Sequence, residues 1–185
     1  MAITISGSGI TSANIADGTI VNADINSSAA IAQSKTAAVT SSDMPVGSIV
    51  QVVNVDGTTE TSTTGTSWTS TAASLTITPK FSNSKIYLHH TAGGLYNSVS
   101  GYGDIGLRIK RVIGAATTYP YQSGRYHYSS AQDWTGTNWA VVAVDATAGT
   151  IAATYTIEIH KQNAAGEIRH CDTATWTFVA MEIVV

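Results

Sequence analysis

Aromatic and polar side chains concentrate between positions 96 and 139, where their types suit the recognition of sugars. Eight of the fourteen aromatic residues lie there, interleaved with Gly, Ser, Asn, Asp and Arg. Flat aromatic faces stack on sugar rings, and such residues supply contact area at low entropic cost in recognition loops. Most Tyr and Trp residues instead pack between sheets or subunits, an alternative that stays open. The candidate receptor-binding residues are Tyr121, Arg125, Tyr126, His127, Tyr128, Asp133 and Trp134.

Histidine and cysteine positions give weak indications of chemistry. His89 and His90 are neighbours on a predicted strand, so their side chains point to opposite faces and do not share a metal ion. Three copies of one histidine on a trimer axis are the alternative by which a metal could bind. Cys171 follows His170, but neighbouring strand residues diverge and no third group orients the imidazole. We therefore predict no metal and no cofactor.

Carboxylates are too few and too scattered to indicate catalysis. A glycosidase needs two carboxyl groups separated by roughly 5–9 Å, a geometry that the sequence does not reveal. The chain carries no HExxH motif, nucleophile elbow or phosphate-binding glycine loop. We predict that the protein is not an enzyme. The alternative is a glycan hydrolase, for which Asp133 and Glu158 would be the carboxyl groups to test.

The elements that position these residues are predicted to be β-strands. Charged residues make up 11% of the chain, against roughly a quarter in an average domain, and β-branched residues are abundant. No stretch shows a convincing helical period. Alternation indicates an antiparallel β-sandwich, jelly-roll-like, with strands at 49–55, 74–78, 85–90, 105–112, 139–144, 154–161 and 176–185.

The last predicted strand is apolar on both faces. Trp176, Phe178, Ala180 and Val184 form one face, and a half-solvated antiparallel sheet would not need a second apolar face. Either the strand is central within the monomer, or its second face meets another subunit. The candidate subunit-interface residues are Val179, Met181, Ile183 and Val185.

Isoleucines recur at steps of five near the start of the chain. The step fits neither the helical period nor strand alternation and indicates an extended, repetitive β-type segment with one apolar contact per repeat. Such a stripe is too thin to bury a core alone. We predict a repetitive segment over 1–44 and a β-domain over 45–185, joined at Pro45. The candidate attachment residues are Ile5, Ile10, Ile15, Ile20 and Ile25.

Charge and hydropathy exclude two classes of partner. The net charge is −3 and no basic run is present, which argues against nucleic acid. No run of about 18 apolar residues occurs, so we predict no membrane insertion.

Short motifs in a fixed order resemble the C-terminal domain of bacteriophage tail-fibre-like proteins, common in cyanophages and other phages of aquatic bacteria. The stretches are MPVGSIVQVVNV, SLTITPKFSNSKIYLH, ATYTIEIH and TWTFVAMEIVV, and the N-terminal GTIVNADINSSAAIAQSK is similar to connecting segments of such fibres. The region from about Tyr96 to Trp139 matches nothing in this pattern. The residues that hold the family's positions are Pro45, Gly47, Gln51, Thr78, Pro79, Ser84, Lys85, Ile86, Met181, Glu182 and Ile183.

The resemblance implies a virion structural protein, made in the host cytoplasm and commonly a homotrimer. Residues 1–44 would attach to other virion proteins on the head or tail, and the β-domain would contact a host cell-surface glycan or lipopolysaccharide. A capsid decoration or head-fibre protein, and a free carbohydrate-binding module, are the alternatives.

Overall fold

The computed structural model describes residues 38–94, 96–98, 105–123, 139–146, 149–161 and 166–185, with the single positions Ile20, Val21, Ile25 and Ser28. Internal contacts divide the chain into two units, Met1–Ala38 and Val39–Val185. This division falls after Ala38, whereas the sequence prediction places it after Met44. The fold described below is that of the second unit.

Eleven β-strands and one 3-10 turn, Ser41–Asp43, make up the regular structure of the described residues. The strands are β1 (Ile49–Gly57), β2 (Thr61–Thr63), β3 (Thr69–Ile77), β4 (Lys85–Ala92), β5 (Tyr96–Asn97), β6 (Ile105–Ile113), β7 (Ala116–Ser123), β8 (Trp139–Ala146), β9 (Ala153–Lys161), β10 (Ile168–His170) and β11 (Trp176–Ile183).

The strands form an antiparallel sandwich, which confirms the predicted all-β fold. The first sheet has the order β1-β11-β4-β8, the second sheet β3-β9-β6-β7, and a small third sheet β2-β10-β5. Alternate residues of the first two sheets turn inward and bury a single apolar core, which includes Leu75, Leu88, Ile109, Ile157 and Phe178.

One ion pair ties the two large sheets together through the core. Arg111 of β6 donates from Nη1 to Asp145 Oδ2 of β8 at 2.6 Å, and the Tyr155 hydroxyl of β9 donates to the same oxygen at 2.8 Å. Burial, together with the Asp145 hydrogen bond, raises the pKa of the Tyr155 phenol. The only charged side chain of β8 is therefore directed inward and neutralised.

All seven predicted strands are present with several shifted bounds, and four described strands were not predicted: β2, β5, β7 and β10. β1 continues past its predicted end at residue 55, because Gly57 pairs with Trp176 of β11. β3 begins at Thr69, earlier than predicted, and its ladder with β9 is irregular between Ser70 and Ser74. β7 was not predicted at all. Its Pro120 is tolerated because β7 is an edge strand of the second sheet.

Candidate functional surfaces

The outward face of the first sheet is largely apolar, and we call it the valine face. The register between strands aligns its outward residues in four rows. The two central rows are Val52, Met181, Tyr87 and Val144, followed by Asn54, Val179, His89 and Val142. The two end rows are Ile49, Ile183, Lys85 and Ala146 on one side, and Asp56, Thr177, Thr91 and Ala140 on the other.

Solvent reaches the valine face at the edge strands. Val52 of β1 is 55% exposed, and Val142 and Val144 of β8 are 49% and 58% exposed. The valine face therefore presents apolar side chains to solvent at both edges of the first sheet.

The predicted interface residues occupy this face. Val179, Met181 and Ile183 are half-buried in the middle of the sheet, and Val185 follows β11 and is exposed. On the opposite side of the strand, Trp176, Phe178, Ala180 and Val184 are buried as predicted. The strand is thus central in its sheet, and its outward side is apolar as well; the interface role itself stays a prediction.

A buried carboxylate links several residues of the phage-like motifs. Glu182 accepts hydrogen bonds from Ser84 Oγ and Gln51 Nε2, both at 2.6 Å, and from the backbone amides of Lys80 and Phe81 at 2.9 Å. Burial raises the pKa of Glu182, but these hydrogen bonds outweigh it, so the pKa lies below its usual value. The motif residues therefore converge on one structural network that fastens the loop before β4 to β11.

A cation and two aromatic rings stack on the outward face of the second sheet. The Arg108 guanidinium lies 4.3 Å from the Trp68 ring centre and 3.9 Å from that of Tyr119. The imidazole of His160 continues the stack, with its centre 4.0 Å from that of Trp68. Tyr119, 44% exposed, is the outermost ring. We call these four residues the arginine stack.

Glu158 forms an ion pair with Arg108 of the arginine stack. Its carboxylate accepts from Arg108 Nε and Lys110 Nζ, each at 2.6 Å, and from Ser70 Oγ at 2.9 Å. Burial raises the pKa of Glu158, but the hydrogen bonds from Lys110, Arg108 and Ser70 lower it below its usual value. Two cations against one carboxylate leave this cluster of three residues with one excess positive charge.

A glycine makes room for the histidine of the stack. A β-carbon at Gly106 would collide with the His160 ring, which lies across β6 at that point. Burial lowers the pKa of His160, and the positive charge of Arg108 acts in the same direction. His160 is therefore a neutral aromatic partner rather than a second cation.

Two histidines meet inside the core. The Nε2 atoms of His90 and His170 are 3.1 Å apart, and His90 Nδ1 lies 2.9 Å from the Thr177 carbonyl oxygen. Because a carbonyl only accepts, His90 Nδ1 carries the proton, and His170 Nε2 must donate to His90 Nε2. Burial lowers the pKa of His90 to about 3 and that of His170 to about 4, with the neighbouring His170 contributing to the first.

Sequence reasoning placed the histidines on strands but missed both of these clusters. The prediction that His89 and His90 point to opposite faces is correct, since His89 is on the valine face and His90 in the core. One sequence signal could have indicated the arginine stack: Arg108, Lys110 and Glu158 alternate with apolar residues in their predicted strands. Their pairing required knowing that β6 and β9 are neighbours.

Most of the predicted receptor set lies outside the described residues: Arg125, Tyr126, His127, Tyr128, Asp133 and Trp134. Tyr121 is described and packs partly buried against the core. Trp139, at the end of the aromatic region, is buried. In the N-terminal segment Ile20 and Ile25 are 54% and 40% exposed, while Ile5, Ile10 and Ile15 are not among the described residues.

Neither a metal cluster nor a catalytic constellation stands out in the described part of the chain. No group of three or more His, Cys, Asp or Glu side chains there is placed to hold a metal ion. A cavity of about 520 Å³ at the end of the first sheet is lined by residues that include Thr91, Trp139 and Thr175, and by no titratable side chain. None of the described helical turns has the length or hydropathy to cross a membrane.

Comparison with known proteins gives distant likenesses only. No protein-family model and no curated protein matches the chain. Among solved structures it is similar to the Yersinia pseudotuberculosis-derived mitogen, with 10% identity, a TM-score of 0.31, and coverage of 71% of this chain and 85% of that one. It is also similar to a chain from the infectious bursal disease virus Gx strain, with 18% identity, a TM-score of 0.36, and coverage of 72% and 32%. At these scores neither likeness identifies a function.

Proposed function

We propose that this chain is a structural protein of a phage particle: a short trimeric tail fibre whose β-domain contacts the host surface. The observation that carries the proposal is the valine face. Val52 at one edge of the sheet and Val142 and Val144 at the other are about half exposed, and a partner that covered the face would remove this apolar surface from water. The order of the phage-like sequence motifs supplies the class of assembly.

Three parts of the chain take different tasks in this proposal. Residues 1–44 attach the subunit to other virion proteins, and the β-domain holds the copies together. The aromatic region between 96 and 139 contacts a host glycan or lipopolysaccharide. No catalytic role is proposed, and shortening of host polysaccharide by the purified protein would contradict that.

Locating the protein in particles tests the proposal. Purified virions of the phage that encodes the chain would be analysed by mass spectrometry and labelled with gold-conjugated antibody against the β-domain. We expect the chain in virions, with label at the tail, and loss of incorporation when residues 1–44 are deleted. Label on the capsid would instead favour a head fibre or decoration protein, and absence from particles would overturn the virion assignment.

A carbohydrate-binding module that acts without a virion is the second candidate, favoured by the arginine stack. Tyr119 offers an exposed ring that contacts Arg108, and the excess positive charge of this cluster suits an acidic sugar. Glycan-array binding by the full chain would be compared with Tyr119→Ala and Trp134→Ala variants. Loss with Tyr119→Ala favours the arginine stack, and loss with Trp134→Ala at unchanged thermal stability favours the predicted receptor region.

A further inference from the structure

The geometry points to a binding site for an acidic sugar on the outward face of the second sheet, where the two Nη atoms of Arg108 hold the sugar carboxylate. The site consists of the arginine stack and Gln122, which pairs with Arg108 across β6 and β7. The inference rests on the proposed contact with a host glycan for the source of the ligand. It deepens that proposal by naming the class of sugar and the atoms that bind it.

Arg108 is held in place by its neighbours before any ligand arrives. Its guanidinium lies between the rings of Trp68 and Tyr119, 4.3 Å and 3.9 Å from their centres, and its Nε donates to Glu158 Oε2 at 2.6 Å. The rings restrict the plane of the guanidinium, and the Nε hydrogen bond restricts its rotation within that plane. A donor that is already ordered loses little conformational freedom when it binds a ligand.

The Nη edge of this guanidinium is open to solvent. Among the contacts of the described residues, Arg108 donates hydrogen bonds from Nε alone. The buried atoms without a partner include neither of its Nη atoms, so water reaches both. Two parallel N–H groups on one planar fork match the spacing of the two oxygens of a carboxylate, which they bind in a bidentate manner.

A second stacked arginine of the same chain shows what such a group binds when carboxylates are within reach. The Arg169 guanidinium lies 5.0 Å from the centre of the Tyr96 ring. Its Nε, Nη2 and Nη1 atoms face three different carboxylates, those of Glu60 at 3.6 Å, Glu167 at 3.1 Å and Asp172 at 3.3 Å. Arg169 is therefore saturated by the chain itself, whereas Arg108 keeps its Nη atoms available for a ligand.

The charge around the open Nη edge favours an anion. Glu158 is the only carboxylate in the four strands of the second sheet, and it is 4% exposed beneath Arg108 and Lys110. An approaching anion therefore meets the cations before it meets the buried carboxylate. The single excess positive charge of this cluster matches a ligand with one negative charge, such as the carboxylate of a uronic acid.

Two exposed side chains beside Arg108 suit the rest of a sugar. Gln122 is the β7 partner of Arg108, so the two side chains share the outward face, and Gln122 is exposed. Its amide both donates and accepts hydrogen bonds, as sugar hydroxyls require. Tyr119, 44% exposed, adds a flat ring for apolar contact with the sugar. A sugar that carries a carboxylate uses all three groups, and a small carboxylate uses Arg108 alone.

The first test is an NMR titration of the isotope-labelled full chain with galacturonate, glucuronate, their methyl esters and acetate. We expect saturable shifts of the Arg108 side-chain N–H signals with at least one of the two acids, and about tenfold weaker binding of its neutral ester. An ester that binds as tightly as its acid overturns the carboxylate contact. Acetate that binds as tightly overturns the sugar contact, and the absence of shifts with both acids overturns the site.

A second test compares Arg108→Lys with the matched control Arg169→Lys, both checked for folding by circular dichroism. Each keeps its charge and loses its planar fork, so Arg108→Lys should bind the acid about tenfold more weakly and Arg169→Lys as the parent does. Unchanged binding by Arg108→Lys, or an equal loss in both variants, overturns the inference. The ligand comparison on the parent chain needs no variant and holds even if a variant unfolds.

Virion labelling separates this inference from the proposed function. A chain that is present in virions and binds neither acid loses the sugar site alone. A chain that binds uronic acids and is absent from virions loses the virion assignment alone.

Discussion

His90 and His170 share a single hydrogen bond between their Nε2 atoms, 3.1 Å apart and fully shielded from solvent. Trp139 and Phe178 contact the His90 ring edge-on, at 5.2 and 5.5 Å between ring centres. Burial among these rings disfavours a charge on either imidazole and keeps the pair neutral. In the described part of the chain His170 Nδ1 has no hydrogen-bond partner, so a proton added there would keep the shared bond but place an unpaired charge among aromatic rings.

The folded protein is therefore expected to lose stability in acid. The pKa values of His90 and His170 fall to about 3 and about 4 on folding, so the unfolded chain binds more protons below pH 6.5. The two histidines contribute their full share of the folding stability above about pH 6.5. That share is lost as the pH falls toward the folded pKa values of about 4 for His170 and about 3 for His90. The free energy of unfolding should drop by about 1.4 kcal/mol per pH unit for each histidine, as measured by urea unfolding between pH 7 and pH 4.5.

The slope of that dependence separates the buried pair from other histidines. His170→Gln should reduce the slope by about half, whatever its effect on absolute stability, because one titrating group is removed. Thr91→Ser, at an outward position of the same strand, removes no titrating group and is the matched control, so its slope should equal that of the parent. An unchanged slope in His170→Gln would show that the buried pair does not control acid stability.

Glu182→Gln should destabilise the domain by about 2–3 kcal/mol. The carboxylate accepts four hydrogen bonds, and a glutamine would direct two N–H donors toward groups that also donate. Urea unfolding at pH 7 measures the effect. Glu60→Gln is the matched control, since that side chain is more than one-third exposed, and a similar cost at both positions would contradict the role given to the network.

Arg108→Lys should cost about 1 kcal/mol although the charge is retained. A lysine ammonium cannot lie flat between the Trp68 and Tyr119 rings as the guanidinium does. Lys110→Arg is the control, because Lys110 pairs with Glu158 without stacking on a ring in the described contacts. Chemical unfolding monitored by tryptophan fluorescence compares the two, and equal effects would mean that stacking adds nothing.

Gly106→Ala should destabilise the second sheet, and His160→Ala should rescue it. The added methyl group collides with the His160 ring, so the two substitutions are strongly coupled. A double-mutant cycle should show an interaction of about 1–3 kcal/mol. Additive effects would mean that glycine is needed at this position for its backbone and not for the space beneath His160.

Local patterns predicted the strands well where alternation was clean. Leu107 and Ile109 on β6, and Tyr155, Ile157 and Ile159 on β9, are buried as their alternation indicated. The pattern failed at β7, where proline and aromatic residues looked like a recognition loop. An edge strand tolerates both, and only the sheet order reveals that β7 is an edge.

The receptor prediction shows the limit of composition as a guide to function. Of the seven aromatic and polar candidates, Tyr121 is the one described, and it packs against the core; the receptor role of the set stays a prediction. Composition identifies which side chains could bind a sugar. It does not tell whether their rings face solvent.

The sequence by itself determined the all-β class and the apolar nature of both faces of β11, because side-chain alternation along one strand depends only on local geometry. Tertiary structure decided which strands are neighbours. It brings His90 into contact with His170, and Arg108 into contact with Glu158. It also places Val52 and Val144 in one row of the first sheet, across the three ladders between β1 and β8. Those relationships connect residues far apart in the chain, and no local pattern encodes the order in which strands assemble.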